Sequence, residues 1–273
     1  MDYLRLRNGI RLPKKGIGTY KLAPGDETYA SVLNALSEGA RHIDTSVIYG
    51  NEKDVARAIK DSNIPREEIF ITGKLPPHIK NAKGVRRFFE RSLKNLGLTY
   101  MDAYIINAPG PFNDLDGDYD EGNVIAYKEL EKLYEEELVT AIGVSQFNVH
   151  HLRNIIDNCD IIPHINQISY FIGHTQKVIK DYMDEYDIAL QAFSPLAKGY
   201  ILDHPDIINL ANKYKKSPAQ IALRYNYQKE VASIPKATSI LHIEQNNMLG
   251  FKISDEDITL LDKIENDPRK YDD

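Results

Sequence analysis

Tryptophan is missing from this 273-residue chain and cysteine occurs once, at Cys159. With no second cysteine, an intrachain disulfide or a thiolate metal cluster is excluded, and a reducing cytoplasm is the expected setting. Long apolar runs are missing too. Nowhere do about 18 apolar residues follow one another, and the opening MDYLRLRNGIRLP has no apolar h-region, so neither membrane spanning nor export is expected. An excess of basic charge is also absent. The 34 Lys and Arg residues are outweighed by 40 Asp and Glu, a net charge of -6 spread along the whole length, which leaves no electrostatic footprint for nucleic acid or an anionic membrane. Small solutes are the expected partners.

Several familiar site motifs fail. The nearest text to a dinucleotide fingerprint, GIGTYK at 16–21, lacks the third glycine and does not run straight into a helix pattern. No Walker loop and no GxSxG elbow occur. The acids Asp114, Asp116, Asp118, Asp120 and Glu121 invite a calcium reading, but an EF-hand starting at Asp114 would need glycine where Tyr119 stands and glutamate where Ile125 stands. The eight histidines fall in no HExxH or HxxxH frame, so no metal site is expected.

What is present is an alternation. Short apolar runs recur at 16–20, 42–44, 69–74, 101–107, 140–144, 164–169, 188–193 and 231–235, separated by longer amphipathic segments and by no Gly/Ser-rich linker. Val85, Phe88, Phe89, Leu93 and Leu96 share one helical face, as do Val149, Leu152, Ile155 and Ile156. Ser217 before Pro218 reads as an N-cap, and Ser254 with Asp257 as a capping box before a last helix. Eight strand and helix units joined by short connections predict an α/β fold, a (β/α)8 TIM barrel occupying 1–273 as one domain, with an open doubly wound sheet as the alternative. An Asn8-Gly9 turn before the first run predicts a hairpin that caps the barrel bottom.

Barrel chemistry sits at the C-terminal ends of strands. There Asp44 ends the second run, Tyr49 follows in the next loop and Lys74 ends the third. A phenol is a weak acid, but a nearby ammonium favours its anion and a carboxylate keeps that ammonium placed, so the three can form a proton donor. A structural Asp44–Lys74 ion pair beside an ordinary loop tyrosine accounts for the same residues.

The text around these positions resembles the aldo-keto reductase family, of the prokaryotic diketogluconate reductase kind, from the first hairpin to DPRKYDD. RHIDTSVIYGNEKDVARAI and REEIFITGKL resemble its second and third strand signatures, and AIGVSQFNVHHL its GVSNF segment. PHINQISY, FSPLAKG and SIPKATSILHIEQN resemble the remaining cofactor segments in order. The resemblance implies one barrel that binds NADP(H) without a Rossmann fingerprint and reduces aldehydes or ketones. It puts the catalytic set on Asp44, Tyr49, Lys74 and, where the family has histidine, Asn107. An amide can orient a carbonyl but cannot titrate, so slow turnover is implied. Potassium-channel beta subunits share the exchange, which keeps a second reading open: a cofactor-bound sensor with vestigial activity.

By the same resemblance Gly18, Thr19, Asp44, Ser145, Gln146, Gln167, Phe193, Ser194 and Leu196 line the nicotinamide and pyrophosphate path. Lys236, Thr238, Ser239 and His242 meet the adenosine phosphate, and Gln245 and Asn246 the adenine. His242 stands where the family has arginine, so weaker discrimination against NAD(H) is expected. Tyr20, Pro76 and Ala108 replace the family's pocket tryptophans and, with Tyr49, form the expected substrate wall. A wider, less aromatic pocket follows, and the acids after Asn107 are expected to disfavour keto-acids. A monomer or weak homo-oligomer acting on a small carbonyl compound is the resulting expectation.

Overall fold

The computed structural model describes residues 2–114 and 117–265. Its first strands, β1 (Tyr3–Arg5) and β2 (Arg11–Pro13), pair antiparallel around the Asn8-Gly9 turn. Eight parallel strands follow in neighbour order: β3 (Gly16–Gly18), β4 (His42–Asp44), β5 (Phe70–Leu75), β6 (Met101–Ile106), β7 (Val139–Ser145), β8 (Ile165–Ser169), β9 (Ala189–Phe193) and β10 (Ala232–Ser233). All eight predicted runs contain a strand. The last is the shortest, because only Ala232 and Ser233 of 231–235 pair with β9.

The seam between β10 and β3 closes the barrel. Lys15 bridges Ser233, the Ser233 N–H donates to the Lys14 carbonyl at 2.9 Å, and the Gly18 N–H donates to the Pro235 carbonyl at 3.2 Å. Glycine at 18 permits this approach, since a Cβ there would stand 2.8 Å from the Ile234 carbonyl oxygen.

The hairpin plugs the bottom. Leu4, Leu6 and Leu12 pack with Phe70, Ala103, Ala141, Ile165 and Ala232, residues near the N-terminal ends of their strands. The catalytic chemistry of such a barrel is thereby left to the opposite mouth.

Helices cover the outside. The two expected apolar faces lie on α3 (Ala82–Leu96) and α5 (Val149–Asn158), and Val85, Phe89, Leu152 and Ile155 are fully buried against the sheet. Two helices, α7 (Pro205–Tyr214) and α8 (Pro218–Gln228), stand between β9 and β10 where the alternation predicts one. Ser217 caps α8 as expected, its hydroxyl accepting from the Gln220 N–H. Ser254 caps α10 (Asp255–Leu261), but the box is half formed: the Asp257 carboxylate is taken by Lys213 and Tyr214, and the Ser254 N–H donates to the Tyr214 hydroxyl instead. Cys159 ends α5, where burial pushes its thiol up to about 12, so it is an inert bystander. Among the described residues no helix is long and apolar enough to cross a membrane. DPRKYDD and Asp116 lie outside the described residues.

Two buried histidines make the fold acid-sensitive. Burial pushes His42, inside the barrel, down to about 3 and His164, at the foot of β8, down to about 4. Their folded values lie below the ordinary 6.5, so the unfolded chain binds the extra protons. Stability is full above that value and falls as pH drops towards 4. Lowering pH from 7 to 5 should cost about 2 kcal/mol per histidine, read from urea midpoints, and His164→Asn should flatten the slope.

Candidate active site

A cavity of about 690 Å³ opens at the C-terminal mouth of the barrel. Six of the eight strands deliver a side chain to it at or just beyond their C-terminal ends. Asp44 ends β4, Lys74 stands one residue from the end of β5, Asn107 follows β6, Ser145 ends β7, Gln167 lies on β8 and Phe193 ends β9. Tyr49 arrives on a single 3-10 turn, Val47–Tyr49, at the entry to α2 (Glu52–Asp61). That turn is fixed from below: Asn51 donates to the carbonyls of Thr19 (2.9 Å) and Leu22 (3.1 Å).

Lys74 is the hub. Its Nζ lies 2.6 Å from Asp44 Oδ1 and 3.0 Å from the Tyr49 hydroxyl oxygen. The other Asp44 oxygen accepts from Gln167 Nε2 at 2.7 Å, and the backbone carbonyl of Asp44 accepts from both the amide and the hydroxyl of Thr19 at 3.0 Å. Asp44 and Lys74 are almost wholly buried. Burial pushes the Asp44 carboxyl up, with Lys74 opposing it. Burial alone would lower Lys74, but the attraction of Asp44 and Tyr49 outweighs it and holds the ammonium above its ordinary value.

Tyr49 departs from expectation. Burial raises its phenol more than Lys74 lowers it, so the shift runs away from the phenolate. Since Lys74 donates to the phenol oxygen, the Tyr49 O–H proton remains free to be given to a bound acceptor. The arrangement is that of a general acid.

Asn107 is 5% exposed, and its Nδ2 has no hydrogen-bond partner among the described residues. An unpaired buried amide costs about 1–3 kcal/mol unless a ligand meets it, and this one borders the cavity. Gln146, beside it, donates to the Asn107 backbone carbonyl at 3.4 Å. Gln146 (φ 60°) and Ser194 (φ 46°) both hold left-handed backbone at the cavity edge, strain typical of binding sites.

The structure therefore gathers Gly18, Tyr20, Asp44, Tyr49, Lys74, Asn107, Ser145, Gln146, Gln167, Phe193, Ser194, Leu196 and Lys236 around one cavity. Thr19 supports it from behind. Thr238, Ser239, His242 and Gln245 lie off the cavity, on the segment after β10 and on α9 (Ile240–Asn247), and the buried Asn246 borders a separate small cleft beside Lys14 and Lys15.

Two expected wall residues do not reach the opening. Pro76 and Ala108 are buried and leave the cavity lining to others. Aromatic surface comes instead from Tyr20, whose ring stands 5.1 Å from that of Tyr49, and from Phe112, 55% exposed. Phe112 carries no sequence signal, since its loop has no period.

The loop acids are also placed differently. Asp114 accepts from the Tyr119 hydroxyl, Asp118 from the Asp120 N–H, and Asp120 pairs with His150 at 2.7 Å, so the described acids satisfy one another's surroundings and none lines the cavity. The lining is cationic, with Lys21, Lys198 and Lys236 at its rim and Asp44 its one carboxylate, already paired. None of the described loop acids stands in that lining.

A parallel eight-stranded barrel whose mouth holds a phenol on a buried ammonium sets a candidate proton donor at the edge of a cavity. The chain belongs to the aldo/keto reductase family, whose profile matches residues 16–266. It is 38% identical to the glyoxal reductase of Bacillus subtilis over 98% of this chain and 94% of that one. Among solved structures, an aldo-keto reductase from a Medee basin deep-sea metagenome library superposes with a TM-score of 0.90 at 38% identity, covering 96% of this chain and 94% of that one. A Bombyx mori aldo-keto reductase in complex with NADP gives 0.86 at 30% identity, covering 96% and 92%.

Proposed function

We propose that this chain, acting as a single barrel domain over 1–273, is an NADPH-dependent reductase of aldehydes and ketones in which Tyr49 is the proton donor. The observation that carries the reading is the 3.0 Å contact from the buried Lys74 ammonium to the Tyr49 phenol at the edge of the cavity. NADPH, when bound, supplies the hydride. The cavity suits such a group: the aromatic face of Phe193, the Ser145 hydroxyl, the Gln146 amide and the Lys236 cation all border it. Lys236 at the rim and Thr238, Ser239 and His242 beyond it would hold the adenosine phosphate, Gln245 and Asn246 the adenine. An imidazole at 242 in place of a guanidinium weakens the preference over NADH.

The chain's own residues divide the remaining work. Tyr49 gives its proton to the developing alkoxide, Lys74 steadies the phenolate left behind, and Asp44, held by Gln167, keeps Lys74 charged and placed. Asn107 Nδ2 donates to the carbonyl oxygen and orients it. Ser46 anchors the Lys74 carbonyl at 3.3 Å, which limits drift of the hub.

Mixing the protein with excess NADPH and 4-nitrobenzaldehyde and following cofactor absorbance tests the reading: steady consumption is expected, and tight NADPH binding without consumption would favour the sensor. Asn107→His adds a titrating donor at the same place, so turnover of ketones should rise about tenfold and acquire a pH limb near 6.5. An unchanged rate would mean that position 107 does not meet the carbonyl.

A further inference from the structure

Lys80 lies outside the cavity lining, in the segment between β5 and α3, and its ammonium is partly buried with neutral partners. Nζ lies 2.5 Å from Asn123 Oδ1 on α4 (Asp120–Glu135) and 3.4 Å from the backbone carbonyl of Ala108, the residue after Asn107. Its stem is pressed by α4: a Cβ on Gly122 would stand 2.8 Å from Lys80 Cβ. The Tyr119 ring lies 5.9 Å from Nζ.

No carboxylate of the described residues pairs with it. Asp114 is taken by Tyr119, Asp120 by His150, and His151 on α5 is the further titrating group that feels its charge. A partly buried cation on neutral acceptors is costly, so its presence at the root of the loop that carries Phe112 calls for a role. That loop is tight: a Cβ on Gly110 would stand 2.6 Å from the Asp114 carbonyl oxygen. A tether on Ala108 thus acts at the base of a closely folded stretch that carries Phe112.

We propose that Lys80 is a positioning residue that ties the start of the β6–α4 loop to α4, fixing the Asn107 amide and the Phe112 wall together. The inference rests on the reductase reading for its kinetic consequence, but the tether itself does not. Burial pushes the Lys80 amine down to about 8. Below that pH the ammonium donates to Asn123 and Ala108; above it a neutral amine holds them less firmly, so the tether weakens as pH rises.

Lys80→Met keeps the apolar stem and removes the donor, and Asn123→Leu removes the acceptor from the other side. Each should raise KM for 4-nitrobenzaldehyde about tenfold with a smaller change in kcat, leave NADPH affinity unchanged, and the pair should be non-additive. Wild-type kcat/KM should fall through a limb near pH 8 that both variants lack. Hydrogen exchange over residues 108–114 of the cofactor-free protein, corrected for intrinsic rates, should quicken about tenfold in Lys80→Met and in the wild type on going from pH 7 to 9. Exchange that quickens in a protein without turnover supports the tether and overturns the reductase. Unchanged exchange in Lys80→Met, or additive effects of the two variants, overturns the tether whatever the turnover.

Discussion

Tyr49→Phe should yield a protein that folds and binds NADPH but turns over aldehydes about a thousandfold more slowly, the loss expected when a positioned general acid is removed. The substitution deletes one oxygen whose protein contact is Lys74 Nζ at 3.0 Å, so the ring, its packing on Tyr20 and the Asp44–Lys74 pair remain. Binding is best followed through emission of the cofactor, since the chain has no tryptophan to quench. A loss of less than tenfold would mean that protons reach the carbonyl another way. A large rise in the dissociation constant of NADPH would mean that Tyr49 holds the cofactor.

Lys74→Met should be the most damaging single change at the site, because it removes the hub and strands a buried carboxylate. Asp44 then keeps Gln167 as a neutral partner and has no cation, a situation that costs about 3–5 kcal/mol. Turnover should fall with Tyr49→Phe-like severity, since the phenolate loses its counter-charge. The charge origin can be separated from lost packing by pH. The Asp44 carboxyl is already raised by burial and loses its one opposing cation, so the folded variant takes up a proton as pH falls and regains stability. Urea midpoints should therefore differ from wild type more at pH 8 than at pH 5, and adding Asp44→Asn should restore much of the loss. Equal loss at both pH values would assign the damage to packing alone.

Much of the barrel could be read from period and punctuation. Eight apolar runs marked the strands, Ser217-Pro218 and Ser254 marked helix starts, and Asn8-Gly9 marked the hairpin. These are local signals, carried by residues within a few positions of one another. Asp44, Tyr49 and Lys74 were legible for a related reason: they end or follow adjacent strands, and neighbours in a parallel sheet bring strand ends together. Asn107 stood out through resemblance, which sets a histidine at its place.

Other features depend on contacts the linear order does not encode. Gln167 reaches Asp44 across 123 positions, and that contact makes its amide part of the proton-donor group. Pro76 and Ala108 stand beside site residues in sequence yet are buried and do not border the cavity. The loop acids look like a negative mouth in sequence, but the fold gives Asp114 to Tyr119 and Asp120 to His150, leaving lysines at the rim.

The direction of the Tyr49 shift is the clearest case. Residue types alone predict an ammonium that lowers the phenol, and the three-dimensional site raises it instead because desolvation exceeds the pull of Lys74. The sequence by itself determined the barrel, the family and which residues, Asp44, Tyr49 and Lys74, meet at its mouth. Tertiary structure decided how deeply each member is buried, which partners it meets and hence its state of charge, because solvation and proximity are properties of the closed barrel rather than of any stretch of chain.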